Sequence, residues 1–177
     1  TKTISDRRMN ALWLSHSLTC AGNLIYVLEA NDNGISYLAE FVSDFLRNNF
    51  DISSIKIAVL GLAFKGKPET DDLRGSPSIT LLEILSANFP KSEIVGWDPM
   101  IHSPEEFKSG WNLVTEMESA ISGAAAVLLV NNHQRLDSLD LPHVASIMGK
   151  NSLIYDFWDR YSNVNFAGLQ VTYSGWG

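Results

Sequence analysis

One short run constrains the fold more than any other feature of the chain. Ile55-Lys-Ile-Ala-Val-Leu60 is apolar and β-branched, and it stops at Gly61. A run of that length and make-up, cut off by glycine, reads as a buried strand. The next apolar helix opens only at Ser76-Pro77, with serine as N-cap and proline at the first helical position. The same alternation continues downstream. Glu93–Trp97 reads as a strand ending at Asp98-Pro99, Met117–Ile121 as a helix and 124–130 as a third strand. Leu141–Met148 reads as another helix, and Ser152–Tyr155 and Leu169–Tyr173 as further strands. Strands that alternate with helices need crossover connections, and these give an α/β parallel sheet with helices on both faces.

Before this unit the pattern is helical. Ala11, Leu12, Leu14 and Leu18, then Leu24, Ile25, Val27 and Leu28, then Leu38, Phe41, Val42, Phe45 and Leu46 fall at the three-to-four spacing of apolar helix faces. Asn31-Asp-Asn-Gly34 interrupts them and reads as a turn or helix cap. The expected division is a helical segment over 1–51 and an α/β domain over 52–177. The helical segment is expected to leave apolar surface for a partner, which makes self-association unsurprising.

Composition narrows the function. The 177 residues carry 13 Lys and Arg against 20 Asp and Glu, a net charge of −7, which argues against a nucleic-acid grip built on bulk positive charge. Cys20 is the only cysteine, so no internal disulfide or multi-cysteine metal site is available. It reads as a small buried hydrophobe rather than a nucleophile. His16, His102 and His143 are scattered and show no metal-ligand spacing, and no metal is expected. No apolar run reaches the roughly 20 residues that span a bilayer, and the first residues lack a signal-peptide core. The expectation is a cytoplasmic protein with no membrane and no nucleic-acid partner.

Chemistry is expected beyond the carboxyl ends of the strands, where open parallel sheets place ligands. The segment leaving the first strand, Gly61 to Pro77, has neither the G-x-G-x-x-G of a dinucleotide loop nor the G-K-[ST] of a P-loop. It holds Lys65, Lys67, Arg74, Asp71 and Asp72 ahead of a capped helix start. Cations beside exposed helix-start amides suit an anion such as a diphosphate; the same residues also read as a solvated charged loop.

Leu60-Gly-Leu-Ala-Phe-Lys65, Thr70-Asp-Asp-Leu-Arg74 and Ser76-Pro77 together resemble the signature of the UDP-glucose/GDP-mannose dehydrogenase family, in its C-terminal UDP-binding domain. Trp97-Asp-Pro99, Val127 to His133, Ile154-Tyr-Asp156 with Arg160, and Tyr173 to Gly177 resemble later family segments in the same order. The resemblance implies a Rossmann-like fold and a nucleotide-sugar 6-dehydrogenase active in polysaccharide biosynthesis. Such an enzyme takes the sugar C6 alcohol to a carboxylate with two NAD molecules and a cysteine thioester. It implies that Phe64, Lys65 and Arg160 meet the UDP-sugar and that Arg74 reaches NAD, with pairing to Asp71 or Asp72 as the alternative for Arg74. Glu29-Ala-Asn31-Asp32 resembles the family's helical middle region, through which subunits pair, so a homodimer is implied. Asp6 stands where the family has an assisting catalytic aspartate, but Lys2 and Ser5 occupy the places of the nucleophilic cysteine and the lysine. The chain alone is therefore expected to be inactive, with NAD held mainly by an N-terminal half. A non-catalytic nucleotide-binding or interaction module derived from the same family is the competing reading. His133 reads either as a general base or as an organiser of the loop at a strand end. Trp97, Trp111, Trp158 and Trp176 read as core or interface anchors.

Overall fold

A computed structural model of the chain describes residues 24–102 and 110–175, with side chains from Gly34 onward. Six strands form one wholly parallel sheet: β1 (Lys56–Leu60), β2 (Glu93–Trp97), β3 (Asn112–Leu113), β4 (Ala126–Leu129), β5 (Ser152–Asp156) and β6 (Val171–Gly175). Their spatial order is β3-β2-β1-β4-β5-β6. The order reverses between β1 and β4, which pair directly with Leu60 opposite Leu129, and this is the switch point of a Rossmann-like sheet. The helices are α1 (Leu24–Asn49), α2 (Pro77–Asn88), α3 (Met117–Ile121) and α4 (Leu141–Ile147).

Side chains alternate along each strand and so build two cores. Ile57, Val59, Ile94, Leu128, Leu153 and Tyr155 face one side with Leu38, Val42 and Leu46 of α1 and Leu81, Leu82 and Leu85 of α2. Ala58, Leu60, Val95, Trp97, Val127 and Ile154 face the other with Ala120 and Ile121 of α3 and Leu141 and Val144 of α4. Helices thus cover both faces, as the alternation of elements predicts.

Three details differ from the sequence reading. The backbone of α1 runs unbroken through Asn31-Asp-Asn-Gly34, where a turn or cap was expected. A glycine inside a helix costs about 1 kcal/mol. The stripe that follows, Ile35, Leu38, Val42 and Leu46, is buried at 2% exposure or less. Each such side chain contributes about 1.5–3 kcal/mol, so packing outweighs the local stop signal. Among the described side chains of α1, 34–49, none is a large exposed hydrophobe; the rest of the helical segment, where apolar surface was also expected, lies outside the described side chains. The last strand begins two residues later than read, because Phe166 and Leu169 close a turn ahead of it and Ser152 pairs with Val171. The two-residue β3, paired to Val95 and Gly96, has no periodicity that a sequence window could register.

The Ser76-Pro77 signal holds. Ser76 Oγ accepts the Ser78 amide at 3.2 Å and donates to the Leu62 carbonyl at 2.6 Å, while Ser78 Oγ donates to the Gly61 carbonyl at 2.5 Å. The start of α2 is thereby fastened to the exit of β1.

Candidate functional site

The carboxyl ends of β1, β2 and β4 meet around a buried carboxylate. Asp98, just past β2 and 2% exposed, accepts the Leu62 amide at 2.7 Å and the Ala63 amide at 2.9 Å through Oδ2. The same oxygen accepts Asn131 Nδ2 at 3.3 Å, and Oδ1 accepts the Met100 amide at 2.8 Å. In a dinucleotide-binding sheet the amides after β1 face a diphosphate. Here the chain's own aspartate fills that seat. The start of α2 is closed as well, with Ser76 and Ser78 buried. This corrects the expectation of exposed helix-start amides: the Leu62 and Ala63 amides are taken by Asp98, and the Ser78 and Ile79 amides by Ser76.

Gly61 makes this packing feasible. Its φ is +89°, and a Cβ there would lie 2.4 Å from Asn131 Oδ1. Beyond it the loop rises out of the protein. Phe64 is 52% exposed, and its amide donates to the Asp72 carbonyl at 2.8 Å, closing the segment between them. Lys65 is exposed and makes no hydrogen bond or ion pair with another described residue. The residues on either side of it are fixed: Phe64 by its amide's bond to Asp72, and Gly66 and Lys67 by amides that donate to Asn132 Oδ1 at 2.8 and 3.2 Å. Gly66 crosses so close to the strand exit that a Cβ would lie 2.0 Å from the His133 amide nitrogen.

The other three site candidates are partnered or lie elsewhere. Arg74 makes a two-pronged pairing with Asp72 (Nε to Oδ1 2.9 Å, Nη2 to Oδ2 2.8 Å), and its own side chain stays 91% exposed. The hydrogen bonds to the Arg74 side chain and amide hold the Asp72 carboxyl down at about 2. Arg160 is only 10% exposed. Its Nε donates to Asp137 Oδ1 at 2.9 Å, its Nη1 to Asp156 Oδ1 at 3.0 Å and its Nη2 to the Asn131 carbonyl. Asp6 lies outside the described residues, as does Cys20.

His133 works as an organiser. Its Nδ1 accepts the Arg135 amide at 3.0 Å, capping the turn Gln134–Leu136. In the neutral ring the proton then sits on Nε2, 3.1 Å from Glu69 Oε1. His133, Glu69, Met100 and Arg135 line a cavity of about 410 Å³ at this edge. A larger hollow of about 660 Å³ opens at the opposite, amino edge, where Lys56 Nζ already donates to the Ser119 and Ser122 carbonyls at 2.5 and 3.2 Å. Size alone therefore does not mark the site. Of the four tryptophans read as anchors, Trp97 and Trp111 are core, Trp158 is 52% exposed with its indole N–H tied to the Val130 carbonyl at 2.9 Å, and Trp176 lies outside the described residues.

Sequence reasoning missed Asp98, Asn132 and Asp137 as organisers. A pair of asparagines directly after an apolar strand was a usable signal for Asn132. Nothing local marks Asp137, because it pairs with Lys67, 70 residues earlier.

Residues 58–163 match the model described as the UDP-glucose/GDP-mannose dehydrogenase family, UDP binding domain. A UDP-glucose 6-dehydrogenase of Rhizobium meliloti is 30% identical over 128 residues, 72% of this chain and 28% of that protein. A UDP-glucose 6-dehydrogenase of Haloferax volcanii is 34% identical over 105 residues, 57% of this chain and 23% of that one. Among solved structures, an NDP-N-acetyl-D-galactosaminuronic acid dehydrogenase from Methanosarcina mazei superposes with a TM-score of 0.70 at 22% identity, covering 90% of this chain and 32% of that one. A UDP-D-ManNAc dehydrogenase from Pyrococcus horikoshii gives 0.68 at 23%, covering 92% and 35%. The chain thus spans about a third or less of these relatives. Among the described residues no helix is long and apolar enough to cross a membrane, and no group of three or more His, Cys, Asp or Glu is placed to hold a metal ion.

Proposed function

The chain belongs to the UDP-glucose/GDP-mannose dehydrogenase family, and from that premise we propose that it supplies the UDP-sugar-binding part of an NAD-dependent nucleotide-sugar 6-dehydrogenase. The whole protein would oxidise the C6 alcohol of a UDP-sugar to a carboxylate. One observation carries the assignment of the binding group: Lys65 stands exposed and unpaired with described residues at the carboxyl edge of β1, beside the switch point, on a loop whose backbone is fixed on both sides of it. An ammonium carried there meets a phosphate or a sugar hydroxyl through a charge-assisted hydrogen bond, and its backbone has little ordering entropy left to lose. Phe64, half exposed beside it, offers the same ligand an apolar face.

The dinucleotide does not fit the β1 turn of this domain, since Asp98 occupies those amides. NAD therefore enters as the oxidant of the whole protein, and Arg74, exposed on the same loop, is the group we assign to face it. Asp6 keeps its proposed place as an assisting carboxylate, and the residues around Asn31 their proposed place in a subunit contact. The first test is a calorimetric titration of the chain with UDP, with GDP and UMP as comparisons. Saturable binding that prefers UDP supports the reading; no heat of binding for any of the three sinks it.

A further inference from the structure

We infer that Asn132 is the positioning residue that aims Lys65. The inference rests on the reading of Lys65 as the binding cation and adds what controls it. A lysine has a flexible four-carbon stem, so the direction of its charge depends on how firmly its own backbone is held. The peptide units on the carboxyl side of Lys65 hang from a single atom: Asn132 Oδ1 accepts the Gly66 amide at 2.8 Å and the Lys67 amide at 3.2 Å. Those amides have no strand or helix partner, because the loop has already left the sheet. Asn132 itself stands three residues past the end of β4, on a segment fixed from both sides. Its predecessor Asn131 reaches back to Ala63 and Asp98, and its successor His133 caps the following turn. Gly66 allows the approach, since any Cβ would collide with the His133 amide. An oxygen on a rigid strand exit thus sets the conformation of a loop that began about 70 residues earlier.

Two substitutions separate aiming from folding. Asn132→Leu keeps the size and removes the acceptor; Asn132→Asp keeps an oxygen at the same place. The first readout needs no ligand. Trypsin cleaves at Lys65–Gly66 only when that loop opens locally, and the following Lys67–Pro68 bond resists it. Losing an acceptor shared by two amides should speed cleavage after Lys65 about tenfold in Asn132→Leu. Cleavage after Lys91, on the other edge of the sheet, should be unchanged, and Asn132→Asp should restore the slow rate. The second readout is UDP affinity. Asn132→Leu should weaken it about tenfold, as should Lys65→Ala, and the double variant should be no weaker than Lys65→Ala alone.

Independent, additive losses would overturn the inference, as would unchanged cleavage after Lys65. Faster cleavage at Lys65 and Lys91 together would overturn it too, by showing general loosening. If the unsubstituted chain binds no UDP, the functional reading fails, and proteolysis alone decides whether Asn132 holds the loop.

Discussion

Two cations that the sequence offers for the same ligand stand in opposite circumstances. Lys65 and Arg160 both resemble family positions at the substrate, and both sit at the carboxyl edge of the sheet. Lys65 is exposed and without a partner among the described residues, on a loop whose backbone is tied down. Arg160 is nearly buried, and each of its three nitrogens already donates, to Asp137, Asp156 and the Asn131 carbonyl. A cation in the first state has most of its interaction free energy still to gain from a ligand. In the second state the same charge holds together the exits of β4 and β5. The difference teaches that position along a motif names the neighbourhood, whereas the partners decide the work.

The largest effect should come from Arg160. Removing one member of a buried ion pair leaves the other unpaired, at a cost of about 3–5 kcal/mol. Asp156 is fully buried, so Arg160→Leu should lower stability by an amount near the bottom of that range, with Asp137 still reachable by water. Urea unfolding monitored by circular dichroism measures it. A loss below about 0.5 kcal/mol would place Arg160 with Lys65 as a free binding group and would break the comparison.

Lys65→Ala comes next and should do the reverse. An exposed, unpaired lysine contributes almost nothing to stability, so the melting temperature should stay within about 1 °C of the parent. UDP affinity should fall about tenfold, equivalent to about 1.4 kcal/mol. Calorimetry beside thermal melting reads both. A destabilised variant with normal affinity would mean that the roles are exchanged.

Tyr173 sharpens the comparison from the other side of Arg160. Its hydroxyl stands 3.3 Å from Asp156 Oδ2 and 3.2 Å from Asp159 Oδ1, and burial, then the Asp156 charge, push its ionisation well above the usual tyrosine range. A group whose folded value is raised gives its stabilisation fully below the unfolded value, here about 10, and loses it as pH rises beyond. Tyr173→Phe should therefore flatten the alkaline fall of the melting temperature above about pH 10. An unchanged alkaline limb would show that the phenol is free to ionise and that the Asp156 cluster is looser than its distances suggest.

How much of this was legible from the chain follows from the range of each interaction. The strands 56–60 and 93–97 and the Ser76-Pro77 start are written in neighbouring residues, and they stand where they were read. The Asn31–Gly34 stop was misread, since its local preference loses to a stripe of buried side chains whose partners lie on α2 and the sheet. The candidate site divides in the same way. Phe64 and Lys65 could be named from their motif, and the exposure of both agrees with a binding role. The Asp98 carboxylate under the β1 turn could not be foreseen, because hydrogen bonds from Leu62 and Ala63 to a residue some 35 positions later leave no periodic trace. Arg160 was legible as a residue but not as a clamp, for its three acceptors come from three separate segments.

Asp137 joins the two halves of the comparison, and the smallest expected effect lies there. Its Oδ2 accepts Lys67 Nζ at 2.5 Å, two residues past Lys65, and its Oδ1 accepts Arg160 Nε at 2.9 Å. Partial burial works to raise its ionisation, but the Lys67 ammonium and the Arg160 guanidinium outweigh that and hold the carboxyl below the usual aspartate range. A depressed folded value contributes stability that is present above the unfolded value, near 4, and is lost as pH falls through the folded one. Asp137→Asn should therefore melt slightly lower than the parent at pH 7, by 1–2 °C or about 0.5 kcal/mol, because Asp137 and Lys67 are both more than a third exposed and solvent screens the pair. As the pH falls below the unfolded value and through the lower folded one the two melting curves should converge, since the parent's carboxylate becomes protonated and the asparagine has nothing to lose. Salt should narrow the gap at pH 7 in the same way, by screening the Lys67 half of the bridge more than the shielded Arg160 half. A gap that stays constant across that pH range would mean that Asp137 acts through shape alone. The exposed cation's loop and the buried clamp would then be joined by packing rather than by charge.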